Sequence, residues 1–269
     1  MSPARGSRQF FEELPDAVSW SRSAHSARSA SDSVPPSEAG PRSCAAVVFS
    51  PSGVFYDDTL FARWMVQLLN RLGVQTEYSA FRCLLQRDAL RCAYLGQAEY
   101  WDALRSLLAD IGLTRGQMAE VEAAGFPRWQ QQNAQLRLLP GVASTVSQLT
   151  ADGLRLAALV NSVCCATDLR ESWQSLGLAD CLEVVLTSRD IGSVLPDRGA
   201  VERMLAALEL PAEQVAFVSS CPAELSVAAS LGLLAVSVLG DSLPGAVRSV
   251  RRIGELVPLL TNPPRPLAA

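Results

Sequence analysis

The stretch Ala45-Ala46-Val47-Val48-Phe49-Ser50-Pro51-Ser52-Gly53-Val54-Phe55-Tyr56-Asp57 decides the fold. It opens on an apolar, β-branched run of the kind that forms a strand buried on both faces. Ser50-Pro51-Ser52-Gly53 then turns the chain, since Pro and Gly are the residues that punctuate regular structure. An aromatic pair, Phe55-Tyr56, leads into Asp57. Two hydroxyls, Ser50 and Ser52, stand where the strand ends. In an open parallel sheet that end is where ligands sit.

Similar runs recur downstream at Arg155–Val160, Val184–Thr187, Val215–Val218 and Leu234–Val238. Stretches with apolar residues at helical spacing separate or follow them. A helix starts near Gly141 and closes on Gln148-Leu149-Thr150, and others are predicted over Thr167–Leu176, Ala200–Leu208, Ala223–Leu231 and Ile253–Leu260. Continuous apolar strands alternating with amphipathic helices make an α/β parallel sheet covered on both faces, with right-handed crossovers.

Between the first and second strands lies a different texture, from about Thr59 to Leu138, with no convincing strand. Leu60, Trp64, Leu68 and Leu72 fall on one helical face, with Gly73 as a stop signal. Tyr100, Leu104, Leu107 and Leu108 form a second stripe. Thr114-x-x-Gln117 is a capping box that opens a further helix, and Arg128–Leu136 is a Gln-rich helix candidate. The expected organisation is a tail over 1–42, an α/β core over 43–58 and 139–262, and an all-helical insertion over 59–138, large enough to carry its own small core. The tail, above all Ser21 to Ser43, is rich in Ser, Arg, Ala and Pro and reads as disordered.

Composition narrows the chemistry. The chain has 269 residues, 49% of them hydrophobic, and a formal net charge of −4, so it carries no electrostatic footprint for nucleic acid. All 23 basic residues are Arg, which leaves no Lys for a Schiff base, a general base or a phosphate anchor. The single His, His25, lies in the tail, so His-based triads and His-ligated metals are excluded from the core. Seven Cys, with no C-x-x-C pair, argue against a zinc site or a disulfide framework and for a reducing compartment. No apolar run reaches the length of a membrane span and no h-region opens the chain, so no membrane partner and a cytoplasmic location are expected.

Four segments at strand ends, taken together, resemble the motifs of the haloacid dehalogenase superfamily, in its phosphoglycolate phosphatase and β-phosphoglucomutase-like capped branch. Ser50 and Ser52 stand where the family has two Asp residues, a nucleophile and a general acid/base. Leu156-Ala157-Ala158-Leu159-Val160-Asn161-Ser162 resembles the strand ending in Thr/Ser-Asn, with Val160 at the hydroxyl position and Asn161 matching. Leu195-Pro196-Asp197 resembles the Lys-Pro loop, with Leu195 at the Lys position. Val215-Ala216-Phe217-Val218-Ser219-Ser220-Cys221-Pro222-Ala223-Glu224 resembles the last motif, with Ser219-Ser220 for Gly-Asp and Glu224 for the second acid.

The resemblance implies a core of that family with a helical cap after its first strand. It also implies that the family's Mg²⁺ is lost, because the first Asp, the carbonyl of the second and the last-motif Asp become Ser50, the carbonyl of Ser52 and Ser220. A hard dication needs anionic oxygens. The catalytic positions Ser50, Ser52, Val160, Leu195, Ser220 and Glu224 are therefore expected to be degenerate, with neither catalytic residues nor a cofactor. A pseudoenzyme with a binding, regulatory or interaction role is the leading expectation. A hydrolase with altered chemistry through Ser50, Asp57, Glu224 or a cap residue is the alternative, and a structural module is the third. Within the first, Ser50, Ser52, Gly53, Asn161, Ser162 and Ser220 are expected to form an anion pocket for a phosphorylated small molecule, because hydroxyls and backbone amides bind anions without carboxylate repulsion. A protein partner is the other possibility, and the sequence leaves the oligomeric state open.

Overall fold

The computed structural model describes residues 44–85, 89–134, 136–238 and 248–261. The expectation of a disordered tail falls outside them. The described strands are β1 (Ala46–Phe49), β2 (Arg155–Val160), β3 (Val184–Thr187), β4 (Val215–Ser219), β5 (Leu234–Val238) and β6 (Arg248–Val250). They form one six-stranded parallel sheet in the order β3-β2-β1-β4-β5-β6. β1 lies in the interior between β2 and β4, so the loops after these three strands meet over its carboxyl end.

Period-two alternation divides the strands between two apolar clusters. Val47 and Phe49 point to one side, where they meet Val142, Val146 and Leu149 of α6 (Val142–Ala151), Trp173 of α7 (Ala166–Gln174) and Leu256 and Leu260 of α11 (Leu256–Thr261). Ala46 and Val48 point to the other, against Val201, Met204 and Leu208 of α9 (Arg198–Leu208) and Leu225 and Ala228 of α10 (Pro222–Ser230). A central strand thus buries both faces, which is why its sequence is continuously apolar.

The insertion after β1 is built, among its described residues, of helices joined by short turns: α1 (Thr59–Arg71), α2 (Tyr78–Leu84), α3 (Leu90–Tyr94), α4 (Tyr100–Asp110) and α5 (Arg115–Ala134), with Leu138 at its end bridged to Tyr56. These helices pack on a third apolar cluster of their own. The capping box at α5 forms: the Thr114 amide donates to Gln117 Oε1 at 2.9 Å, and the Gln117 amide donates to Thr114 Oγ1 at 3.3 Å.

Three sequence readings are corrected. The buried residues of α1 are Phe61, Met65, Val66, Leu68 and Leu69; of the predicted stripe Leu68 is buried, Trp64 and Leu72 pack against the cluster from its margin, and Leu60 is 61% exposed. α5 runs unbroken through Pro127 to Ala134, so the Gln-rich segment is its last turns rather than a separate helix. β6 was not anticipated, being three residues long with only Val250 buried.

Candidate functional site

The loop after β1 folds into a tight turn above the strand. The amides of Val54 and Phe55 both donate to the Pro51 carbonyl, at 3.0 and 2.8 Å, and Gly53 N–H donates to the Tyr56 carbonyl at 2.9 Å. Gly53 has a φ of 70°, which favours glycine. A Cβ added there would lie 2.6 Å from Ser220 Oγ, so the loops after β1 and β4 touch at this point.

Ser50 continues the ladder of β1, with its amide donating to the Val218 carbonyl at 2.9 Å, and is only 5% exposed. Its hydroxyl lies beside the Glu224 carboxylate at the start of α10 and favours its ionised form. The Ser219 hydroxyl also donates to Glu224, at 2.7 Å, and accepts the Cys221 amide at 2.9 Å. Burial raises the pKa of Glu224, against the opposing pull of the Ser219 and Ser50 hydroxyls and the Arg82 charge. Burial, with the charge of Glu224 second, likewise pushes the Cys221 thiol up, so this cysteine is not an activated thiolate.

Of the other two serines, Ser220 reaches across to the loop after β1 and Ser52 stays within its own loop. Ser220 Oγ donates to the Ser52 carbonyl at 3.0 Å, and Ser52 Oγ donates to Asp58 Oδ2 at 2.6 Å. Ser50, Ser52, Gly53, Ser220 and Glu224 are thereby assembled at the ends of β1 and β4.

Asn161 and Ser162 have different partners. Asn161 grips the backbone of Leu195: its Nδ2 donates to the Leu195 carbonyl at 2.9 Å, and its Oδ1 accepts the Leu195 amide at 2.8 Å. The Leu195 side chain lies in the apolar cluster beneath, 6% exposed. Ser162 Oγ accepts the Cys164 amide at 3.0 Å, and its own amide donates to Ser188 Oγ at 3.1 Å. Val160 ends β2 opposite Thr187 in the ladder. Of the two nearby arginines, Arg189 donates to the Val163 carbonyl at 2.5 Å and Arg198 pairs with Glu202 at 2.6 Å.

The charged residues that face the site come from the hinge and the cap. Asp57 is exposed and turned away: its Oδ1 accepts the Thr59 amide at 2.8 Å. Burial opposes its ionisation, but the Thr59 hydroxyl and amide and the Arg63 charge outweigh it, so its pKa is lowered. Asp58, one residue on, is the carboxylate on Ser52. Arg82 of α2 extends over the loops, with Nη1 donating to Tyr78 Oη at 3.1 Å and its charge acting on Asp58, Cys221 and Glu224. Asp58, Arg82, Tyr78, Tyr94, Tyr100 and Gln132 line a cavity of about 150 Å³ between hinge and cap, with Phe61, Leu85, Leu90 and Trp129 as its apolar wall. Burial pushes the Tyr94 and Tyr100 hydroxyls up, so both are neutral donors.

On the far side the cap is fastened to the core. Ser188 Oγ, 1% exposed at the start of the short helix α8 (Ser188–Ile191) that follows β3, donates to the Tyr94 carbonyl at 2.9 Å. Arg91 pairs with Asp197 at 2.7 Å, and Val163 packs into the cap's apolar cluster.

No family model matches the sequence, and no curated protein matches it. Solved structures do. An L-2-haloacid dehalogenase from Xanthobacter autotrophicus superposes with a TM-score of 0.58 at 19% identity, over 82% of this chain and 100% of that one. Another L-2-haloacid dehalogenase gives 0.58 at 24%, over 81% and 99%. A 2-haloacid dehalogenase from Pseudomonas syringae pv. Tomato gives 0.54 at 16%, over 81% and 98%. The chain has the haloacid dehalogenase fold. The likeness spans core and insertion together, since it covers nearly all of each dehalogenase. Within this haloacid dehalogenase fold, the sequence reading found the serines and Glu224 but missed Asp58 and Arg82. The only sequence signal for Arg82 is its i,i+4 spacing from Tyr78 on a helix.

Proposed function

We propose that this chain is a non-hydrolytic member of the haloacid dehalogenase fold that binds a small anion in the cavity between hinge and cap. The observation that carries the reading is the pairing of the strand-end groups with one another: Ser220 to the Ser52 carbonyl, Ser52 to Asp58, and Ser219 to Glu224. A carboxylate nucleophile needs an anionic oxygen at the end of β1, and Ser50 supplies a neutral one. The side chain at the family's lysine position, Leu195, is buried in the core. Mg²⁺ does not suit the donor set, because one buried carboxylate among hydroxyls and a carbonyl cannot balance a hard dication.

Ligand class follows from the cavity. A volume of about 150 Å³ admits one molecule of roughly benzene size. The Arg82 guanidinium, one of whose N–H groups is on Tyr78, brings positive charge to the cavity, and the Tyr94 and Tyr100 hydroxyls line it as neutral donors. The neighbouring structures are named for 2-haloacids, which are small carboxylates and fit this size class. Phosphate esters are the other candidates, and the neighbouring Asp58 disfavours a second negative charge. Calorimetric and thermal-shift titration with short carboxylates and with small phosphate esters, each with and without Mg²⁺, tests the reading. A binding response without turnover is expected, and no response at millimolar ligand refutes it.

One observation favours a second reading, a hydrolase of altered chemistry. Glu224 is a buried carboxylate of raised pKa on the Ser50 hydroxyl, which is the arrangement of a base beside a nucleophile. In that case the protein would turn over activated esters, and Ser50→Ala and Glu224→Gln would each abolish the activity.

A further inference from the structure

The loops after β1 and β4 belong to different crossovers and need something to hold them together. In this chain the two loop tips are joined by a short bond, Ser220 Oγ to the Ser52 carbonyl at 3.0 Å, with Gly53 packed against the Ser220 side chain. We infer that the Ser220 hydroxyl has taken over the structural place of a divalent cation, so that the site is assembled and positioned without metal.

Geometry supports the substitution. Two oxygens in adjacent positions of an octahedral Mg²⁺ shell, each about 2.1 Å from the ion, lie about 3 Å apart. The O–H···O bond holds Ser220 Oγ and the Ser52 oxygen at that same separation. The loops therefore keep the spacing that a shared ion would impose. The bond also uses the carbonyl that such an ion would need, and its donor is already committed.

The arrangement continues beyond the bond. With its carbonyl held by Ser220, Ser52 directs its own hydroxyl to Asp58 at 2.6 Å, and Asp58 lines the cavity. Ser220 is thus a positioning residue: it acts on the cavity through Ser52 and Asp58 and touches no ligand itself. Local positive charge comes from Arg82, whose field reaches both Asp58 and Glu224. The remaining carboxylate, Glu224, is engaged by Ser219 and Ser50. Among the described residues no group of three or more His, Cys, Asp or Glu is arranged to hold an ion.

The inference stands apart from the ligand reading, because it concerns assembly of the loops and is tested without any ligand. Melting of the full chain is measured in EDTA and in millimolar MgCl₂ or MnCl₂. The wild type should melt at one temperature in all three, and a metal-dependent rise would overturn the inference. Ser220→Ala should lower the melting temperature by about 2 °C, the scale for loss of one partly exposed hydrogen bond in a protein of this size, equally with and without metal. Ser220→Thr retains the hydroxyl and should recover most of that loss. Equal melting of wild type and Ser220→Ala, or failure of Thr to rescue, would refute the role of the hydroxyl. The variant Ser50→Asp, Ser220→Asp should lose stability in EDTA and regain it in MgCl₂. If that variant folds without gaining metal sensitivity, the place assigned to the ion is wrong. If it does not fold, the wild-type metal titration and the Ala and Thr pair still decide.

Discussion

Asn161→Ala separates two roles for a residue that the sequence places in an anion pocket and the structure places on a backbone. Both polar atoms of its amide are used on Leu195, one donating at 2.9 Å and one accepting at 2.8 Å. Leu195 is buried, so truncation removes two bonds and strands its N–H and C=O away from protein partners. A hydrogen bond contributes about 1 kcal/mol net and a stranded buried group costs about 1–3 kcal/mol, and these overlap, so a loss of about 2–3 kcal/mol is expected. That is a large part of a typical domain's stability of roughly 5–15 kcal/mol. At about 2–4 °C per kcal/mol, melting should fall by about 4–12 °C. The assay is urea unfolding followed by circular dichroism, with the midpoint lowered at unchanged slope. Asn161→Asp sharpens the test. At neutral pH its carboxylate still accepts the Leu195 amide but faces the Leu195 carbonyl with no proton to donate. At acid pH the carboxyl gains that proton, so the deficit should shrink as pH falls. An Asn161→Ala loss below about 0.5 kcal/mol, the range of ordinary surface substitutions, would refute the reasoning and return Asn161 to the ligand pocket.

Glu224→Gln should stabilise the protein at neutral pH. The folded carboxyl titrates above its ordinary 4.5 because it is buried, so wild-type stability falls as pH rises from 4.5 through the raised value and then levels; the Gln advantage in urea midpoint should open across that window and be absent below it. Ser188→Ala removes the buried hydroxyl that donates to the Tyr94 carbonyl and accepts the Ser162 amide; a loss of about 1–2 kcal/mol is expected, with faster amide exchange in α3, and unchanged exchange there would show that the cap is held by other contacts. Gly53→Ala combines a left-handed backbone with a Cβ 2.6 Å from Ser220 Oγ, for a loss of about 2–3 kcal/mol. Adding Ser220→Gly relieves the clash but also removes the bond to the Ser52 carbonyl, so the double variant should lose less than the sum of the two single losses, and full additivity would contradict the contact.

The core was legible because burial on both faces writes itself as an unbroken apolar run. Arg155–Val160, Val184–Thr187 and Leu234–Val238 stand at their expected bounds, and the Thr114-x-x-Gln117 box formed as read. Illegible elements were those whose sequence carries less than one face of information. β6 is a short edge strand with two of three residues exposed, so no alternation betrays it. The α1 stripe was placed off-centre because Leu60 and Trp64 share the spacing of Phe61 and Met65, while Leu68 is buried as read. Only the direction from which the rest of the cap packs selects between the two. The Gln-rich segment read as a separate helix is the end of α5, which continues through Pro127, in a stretch where Gly125 packs closely on Trp101.

At the site the division is chemical. The identity of each strand-end residue, and hence its missing charge, is a property of one position and can be read directly. Where a neutral hydroxyl goes is a property of its neighbours. Ser50 and Ser219 turn to Glu224, Ser220 to a carbonyl, Ser52 to Asp58, and Asn161 to the backbone of Leu195. Asp57 and Asp58 are adjacent and chemically identical, yet one accepts the Thr59 amide and the other takes the Ser52 hydroxyl and lines the cavity, because successive side chains at a helix start diverge. Arg82 lies 32 residues beyond Ser50 on a short helix and reaches the site only through the packing of the cap. The charge lost at the strand ends is therefore not simply gone. Asp58 and Arg82 place opposite charges at the cavity, supplied by the hinge and the cap, so on the function proposed above ligand recognition would depend on how the insertion sits on the core.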